Sequence, residues 1–282
     1  MADKRKLLLT GARGFLGREI ESLLAGSFEV LGLGRGPSND IQADLSIEVP
    51  EIPEVEVVVH AAGKAHVVPK TPEEEKAFHD INTGGTENLL KALDEQGRTQ
   101  GLDHFILIST VAVYGRDSGE GITVDHPLNG TTPYALSKIK AEELVREWGS
   151  RTGVKISILR LPLIWGENDP PGNLGAMIQA MKRGYYFRIG KGEARRSIIK
   201  TETLGRMIAA GRVPEGTHNI TEEHHPTIRE IEDQLARRVG RSWIPTIPLP
   251  LLRFGARLGD RISFLPLNTY RLEKLITSLT FQ

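Results

Sequence analysis

The sequence predicts an α/β fold in which a doubly wound parallel sheet occupies roughly residues 1–160 and a smaller lobe, interleaved with it, occupies 161–282. Three observations carry that expectation. Short apolar, β-branched runs alternate with helical patterns through the first half. A glycine-rich turn joins the first run to the first helix. After Leu161 the texture changes, with Pro162, Pro170, Pro171, Pro250 and Pro266 breaking the chain.

In order, Lys6–Leu9 reads as a compact strand and Gly14–Leu24 as a helix. Glu29–Leu33 and Val55–His60 read as the second and third strands. Glu73–Glu95 carries a helical period, Phe105–Ser109 a fourth strand, Tyr134–Arg151 a long helix and Lys155–Leu159 a fifth strand. Runs that are apolar throughout, rather than alternating, belong to strands covered on both faces, as in a parallel sheet.

Composition narrows the function. Across 282 residues, 39% are hydrophobic and 26% charged, and Lys+Arg and Asp+Glu balance at 36 each. A neutral chain gives no overall electrostatic case for nucleic acid or an anionic membrane, although a local basic site remains open. The absence of Cys excludes disulfides, thiolate metal sites and Cys nucleophiles, and it fits a reducing cytoplasm. No apolar run reaches the length of a membrane span, so no membrane insertion is expected. His224-His225 is read as a loop pair: adjacent histidines do not share a helix face, and no metal site is expected.

The turn Thr10-Gly11-Ala12-Arg13-Gly14-Phe15-Leu16-Gly17 follows the first strand and opens the first helix. Gly11 suits the tight turn, Gly14 a close backbone approach to a pyrophosphate, and Gly17 the packing of helix on strand; the helix N-terminus offers N–H groups to an anion. The turn, including Arg13, Phe15 and Leu16, therefore reads as a dinucleotide site. At the end of the second strand Gly34 replaces the acid that would hold ribose hydroxyls in NAD, and Arg35 follows it. A guanidinium can fork onto a 2′-phosphate, so NADP is favoured over NAD.

Tyr134 and Lys138 stand at i and i+4, one helical turn apart. An ammonium, together with the positive end of a bound nicotinamide, lowers a phenol's pKa and makes it an acid/base. With the spacing Gly-x-x-Gly-x-x-Gly and Ser109-Thr110 at the end of the fourth strand, the sequence resembles the extended short-chain dehydrogenase/reductase superfamily, in particular its NAD-dependent epimerase/dehydratase family. The resemblance covers nearly the whole chain. It implies a Rossmann fold, NAD(P), and hydride transfer with Tyr134 as acid/base, Lys138 on the nicotinamide ribose, and Thr110 (or, less favoured, Ser109) bonding the reacting oxygen. It also implies that Asp44-Leu45 contacts the adenine, that Ala61-Ala62-Gly63 lies against the cofactor, and that Asn82 stabilises the sheet edge beside it.

Where the family's dehydratases carry acids after the Thr, this chain has Val111 and Ala112, which points to epimerisation or carbonyl reduction. In nucleotide-sugar members an Asn-Leu backbone and an Arg hold the diphosphate; here those are Asn173, Leu174 and Arg196. The expected substrate is a nucleotide sugar. The alternatives are a dehydrogenase of another small carbonyl or alcohol and a non-catalytic NAD(P)-binding regulator. Relatives pair as homodimers through the helices equivalent to Glu73–Glu95 and Tyr134–Arg151, and they usually continue past the equivalent of Gln282.

Overall fold

A computed structural model describes residues 4–260 and 268–282. By internal contacts the chain divides into two units. The first comprises residues 1–115, 124–168 and 199–220; the second comprises 116–123, 169–198 and 221–282.

The first unit holds a seven-stranded parallel sheet. Its early strands are β1 (Arg5–Thr10), β2 (Phe28–Gly34), β3 (Ile41–Gln42), β4 (Val57–His60) and β5 (His104–Thr110). The spatial order is Gly216–Asn219, Lys155–Leu161, β5, β4, β1, β2, β3. The order reverses between β1 and β4, the crevice where doubly wound folds take their ligands. Thr10, Gly34, His60 and Thr110 each end their strand on that edge.

Alternation along the strands divides the core. Leu8, Val58, Phe105, Leu107 and Ile158 face one layer, packed by Leu89, Leu93, Val145 and Trp148. Leu7, Leu9, Val57, Val59, Ile106 and Leu159 face the other, packed by Ile20, Leu24, Leu204 and Ile208. Successive strand residues point to opposite faces, and both faces here are dry, so the runs are apolar throughout. The covering helices are α1 (Phe15–Leu24), α2 (Pro72–Phe78), α3 (Gly85–Glu95), α4 (Pro133–Thr152) and, beside α1, Thr201–Ala209.

Two differences from the expected elements matter. The helix expected over Glu73–Glu95 is broken by a π-helical turn at His79–Gly84, which carries Asn82. Two edge strands, Ile41–Gln42 and Gly216–Asn219, were not expected: one is too short and the other too polar to show an apolar run.

In the second unit, the helix Ile228–Arg238 begins at a capping box formed by Thr227 and Glu230. Buried Arg188 donates to Glu232 and Asp233 on that helix. The helices Gly172–Arg183, Leu249–Gly259 and Thr269–Ile276 complete it. No helix among the described residues is long and apolar enough to cross a membrane.

Candidate active site at the strand tips

The glycine turn has the geometry its sequence demands. Gly11 lies at φ 71°, and a Cβ there would stand 2.8 Å from the main chain of Ala62. A Cβ on Gly17 would stand 2.3 Å from the Gly11 carbonyl oxygen and 2.7 Å from Ala12 Cα, so only glycine lets α1 sit this close. Gly14 caps α1 with extended backbone and no side-chain hydrogen bond, leaving the helix N-terminus to an anion. Arg13 turns elsewhere: its guanidinium donates to the Ser38 carbonyl at 2.8 and 3.1 Å and to Glu21 at 2.7 Å. Phe15 and Leu16 stand in the first turn of α1.

Behind the turn lies a buried chain of hydroxyls and imidazole that the sequence did not suggest. Thr86 donates to the Asn82 carbonyl at 2.6 Å, so its oxygen accepts from His60 Nε2 at 3.0 Å. His60 Nδ1 then accepts from the Thr10 hydroxyl at 2.7 Å, and Thr10 Oγ1 accepts from the Ala62 N–H at 3.1 Å. Every group is satisfied only with a neutral imidazole. Burial, and then the charge of Lys138, drive the His60 pKa down to about 3. This chain of bonds holds the Ala61-Ala62-Gly63 strip beside the turn.

Asn82 is spent on main chain and α4. Its Oδ1 accepts from the Lys64 N–H at 2.7 Å, and its Nδ2 donates to the Lys64 carbonyl at 3.0 Å and to Ser137 Oγ at 2.8 Å. The π turn aims it there, tying the β4 loop to the helix that carries Tyr134 and Lys138.

That helix starts with Thr132 as N-cap and Pro133 in its first turn. Tyr134 is half-buried, its ring tilted against Phe78 at 6.1 Å. Burial raises its pKa, and a side-chain hydrogen bond with Thr110 works in the other direction. Without cofactor the phenol is set by burial; the lowering expected from the sequence calls also on the positive end of a bound nicotinamide. Lys138 is 5% exposed; burial lowers its pKa to about 8, with Glu142 opposing.

Strand alternation separates the two hydroxyl candidates. Thr110 bonds Tyr134 and also accepts from the Ala112 N–H at 3.2 Å. Ser109, on the opposite face, donates to Glu142 at 2.6 Å. Glu142 is fully buried and also accepts from Arg160 Nη2 at 2.7 Å and Arg146 at 2.6 Å. Arg160, 3% exposed, reaches Tyr114 Oη at 2.9 Å. Sequence reasoning missed this network, although Glu142 at i+4 from Lys138 was the available signal.

At the end of β2, Arg35 is exposed. Asp44 accepts from Ser46 at 2.7 and 3.0 Å; burial pushes its pKa up, but those bonds and the charge of Arg35 hold it below the usual range. Leu45 is in the core. Asp40, passed over in the sequence, accepts from the Gly32 N–H at 2.8 Å. Gly32 in turn faces Ala12 of the turn, whose Cβ lies 3.0 Å from where a Gly32 Cβ would be.

The remaining sites belong to the second unit. Asn173 is exposed and Leu174 buried at the start of Gly172–Arg183. The Arg196 guanidinium donates to the carbonyls of Arg195, Thr277 and Lys274, and burial lowers its pKa. His225 pairs with Ser197 at 3.1 Å and His224 with Glu230 at 3.3 Å.

The model of the NAD dependent epimerase/dehydratase family matches residues 7–210. The chain is 27% identical to a UDP-glucose 4-epimerase of Vibrio cholerae over 274 residues, covering 88% of this chain and 79% of that one. It is 32% identical to a GDP-6-deoxy-D-mannose reductase of Pseudomonas aeruginosa over 167 residues, covering 55% of this chain and 51% of that one. The chain spans about 60% of the length of two further curated relatives that it matches. Among solved structures, the UDP-glucose 4-epimerase of Thermotoga maritima with UDP-glucose aligns with a TM-score of 0.69 at 20% identity, covering 86% of this chain and 85% of that one. With the matched span covering most of the sequence, the chain belongs to the NAD dependent epimerase/dehydratase family, within the extended short-chain dehydrogenase/reductase superfamily.

Proposed function

We propose that this chain transfers hydride at a sugar carbon of a nucleotide sugar, as an epimerase or a 4-ketoreductase, with Tyr134 as the acid/base. The observation that carries the reading is the Thr110–Tyr134 pair, with Lys138 one turn along, on a strand edge whose glycine turn fits a pyrophosphate. NAD(P) supplies the hydride acceptor or donor when bound.

The residues divide the work. Thr110 and Tyr134 bond the reacting oxygen. The neutral phenol can donate its proton to an alkoxide as formed; acting as a base, it requires added positive charge beside it. Lys138 supplies part of that charge below pH about 8, and its place one turn from Tyr134 suits the nicotinamide ribose. Neither Val111 nor Ala112 can act as acid or base, which favours epimerisation or reduction over loss of water. Relatives named as a UDP-glucose 4-epimerase and a GDP-6-deoxy-D-mannose reductase support a nucleotide-sugar substrate. Asn173, the Leu174 main chain and Arg196 are proposed to hold its diphosphate.

Tyr134→Phe should lower turnover of UDP- or GDP-sugars by about a thousandfold while the cofactor-induced rise in melting temperature persists. Unchanged turnover overturns the mechanism. A reductase consumes cofactor stoichiometrically, whereas an epimerase does not.

The cofactor's phosphate turns on two groups. Arg35 favours NADP, but the Asp40 carboxylate stands beside the glycine turn, where this fold lays the adenosine ribose. Ribose hydroxyls can donate to a carboxylate, and a 2′-phosphate is repelled by it, so the geometry favours NAD over the NADP suggested by sequence. Asp40→Asn should shift the NADP/NAD affinity ratio towards NADP by about tenfold. A ratio that moves only in Arg35→Ala restores NADP.

A further inference from the structure

The second unit contains an open cavity of about 700 Å³, and none of its lining residues is among those proposed for catalysis, cofactor or sugar-diphosphate binding. Five cations line it, Arg188, Lys191, Arg229, Arg237 and Arg241, against one carboxylate, Asp233. Local geometry brings them together. Arg229, Asp233 and Arg237 recur at i, i+4 and i+8 on one side of the helix Ile228–Arg238, over about 12 Å. Gly190-Lys191-Gly192 turns with positive φ at both glycines, and the Arg229 N–H donates to the Gly192 carbonyl at 2.9 Å, which sets Lys191 beside the start of that helix. At the other end Gly240, at φ 73°, reverses the chain, and the N–H groups of Val239, Gly240 and Arg241 occupy the carbonyls of Leu235, Ala236 and Arg237. Arg241 thereby returns beside the last turn. Buried Ala236 and Ile244, and Trp243, 72% exposed, supply the apolar lining.

The acids nearby leave this charge in excess. Buried Glu232 accepts from Arg188, while Asp233 accepts from Arg188 and stands 3.8 Å from Arg229. Exposed Glu193 stands 3.8 Å from Lys191. Glu230 is turned to Thr227 and His224, and Asp169 pairs with Lys182 and Arg238. The guanidinium groups of Arg237 and Arg241 have no hydrogen-bond or ion-pair partner among the described residues. We propose that this cavity binds a nucleoside diphosphate, with its phosphates on Arg237 and Arg241 and its base against the Trp243 indole. A guanidinium fork matches paired phosphate oxygens, and cations set two helical turns apart suit a diphosphate better than a single phosphate. Every base offers a π face to an indole, so Trp243 selects a base without choosing which one. Lys191 and Arg229, each already near a carboxylate, add to the positive field. The volume is that of a small-molecule site and takes one nucleotide rather than a strand.

The test is ADP binding to the full chain in excess NAD, which keeps ADP from the glycine turn, read by tryptophan fluorescence and calorimetry. Of the three Trp residues, Trp148 is buried and Trp165 half-buried, so a quench reports chiefly on Trp243. ADP should quench the emission saturably, and Trp243→Phe should remove the quench. Arg237→Gln and Arg241→Gln should each weaken ADP about tenfold. Trp243→Ala should weaken it about tenfold as well. Inorganic pyrophosphate should compete, bind more weakly than ADP and be insensitive to Trp243→Ala. None of the three side chains is buried, and turnover of UDP- or GDP-sugars without ADP should stay unchanged in every variant. No ADP binding in excess NAD, an ADP affinity that survives both arginine substitutions, pyrophosphate binding as tight as that of ADP, or a single-stranded oligonucleotide bound more tightly than ADP overturns the proposal. A fall in basal turnover also overturns it, since the cavity then belongs to the sugar site. The saturable quench of the unsubstituted chain, and its loss on adding salt, decide the matter even if a variant folds poorly.

Discussion

Glu142 shows how one buried carboxylate organises the chemistry around it. It sits one turn beyond Lys138 and two beyond Tyr134 on α4, fully buried, and it receives Ser109, Arg146 and Arg160. Burial alone would raise its pKa, but the bonds and charge of Arg160, then Ser109 and Arg146, hold it below the usual carboxylate range. Removing its charge strands Arg160 in the interior, which costs about 3–5 kcal/mol. Glu142→Gln should therefore lower the urea midpoint. Because Glu142 opposes the fall in the Lys138 pKa, the same substitution should move the alkaline limb of the pH–rate profile to lower pH. An unmoved limb would separate Lys138 from Glu142. The Tyr134–Lys138 pair was legible as an i,i+4 motif, whereas Glu142 was not singled out, because Arg146 alone among its partners is near in sequence and the others come from β5 and the Lys155–Leu161 strand.

At the level of elements, the joint between β1 and α1 tolerates no side chain at Gly17. The Cβ of Gly17→Ala would meet main-chain atoms, which do not swing away as a side-chain tip does, so α1 must lift from the strand. A loss of about 1–3 kcal/mol and a weakened cofactor-induced thermal shift should follow. Gly101, where a Cβ meets nothing within 4 Å, supplies the neutral control in Gly101→Ala. Equal melting temperatures for the two variants would contradict the packing argument. The glycine spacing was readable because each position answers a local steric demand. The π turn in the expected Glu73–Glu95 helix was not, because it is set by Asn82 reaching Lys64 and Ser137.

For the whole molecule, His60 links β1, β4 and α3 through Thr10 and Thr86, and it does so as a neutral ring. In the unfolded chain a histidine takes a proton near pH 6.5; the folded site resists until about 3. Below 6.5 the unfolded state thus binds the extra proton, and stability falls as pH falls, by about 2 kcal/mol at pH 5 from this residue. Thermal melts from pH 7.5 to 5 should show that loss, and His60→Gln, though less stable at neutral pH, should show a shallower slope. Identical slopes would mean that His60 is protonated in the fold.

By itself the sequence determined the parallel α/β sheet, the glycine turn and the order of hydroxyl, phenol and ammonium, since periodicity, glycine spacing and helical i,i+4 geometry are all local. Tertiary structure alone decided which of Ser109 and Thr110 meets Tyr134, that burial raises the phenol's pKa, that Asp40 reaches the Gly32 N–H beside the turn, and that the Arg196 guanidinium faces main-chain carbonyls. Each of those outcomes depends on desolvation and on partners distant in the chain, which spacing along a sequence does not encode.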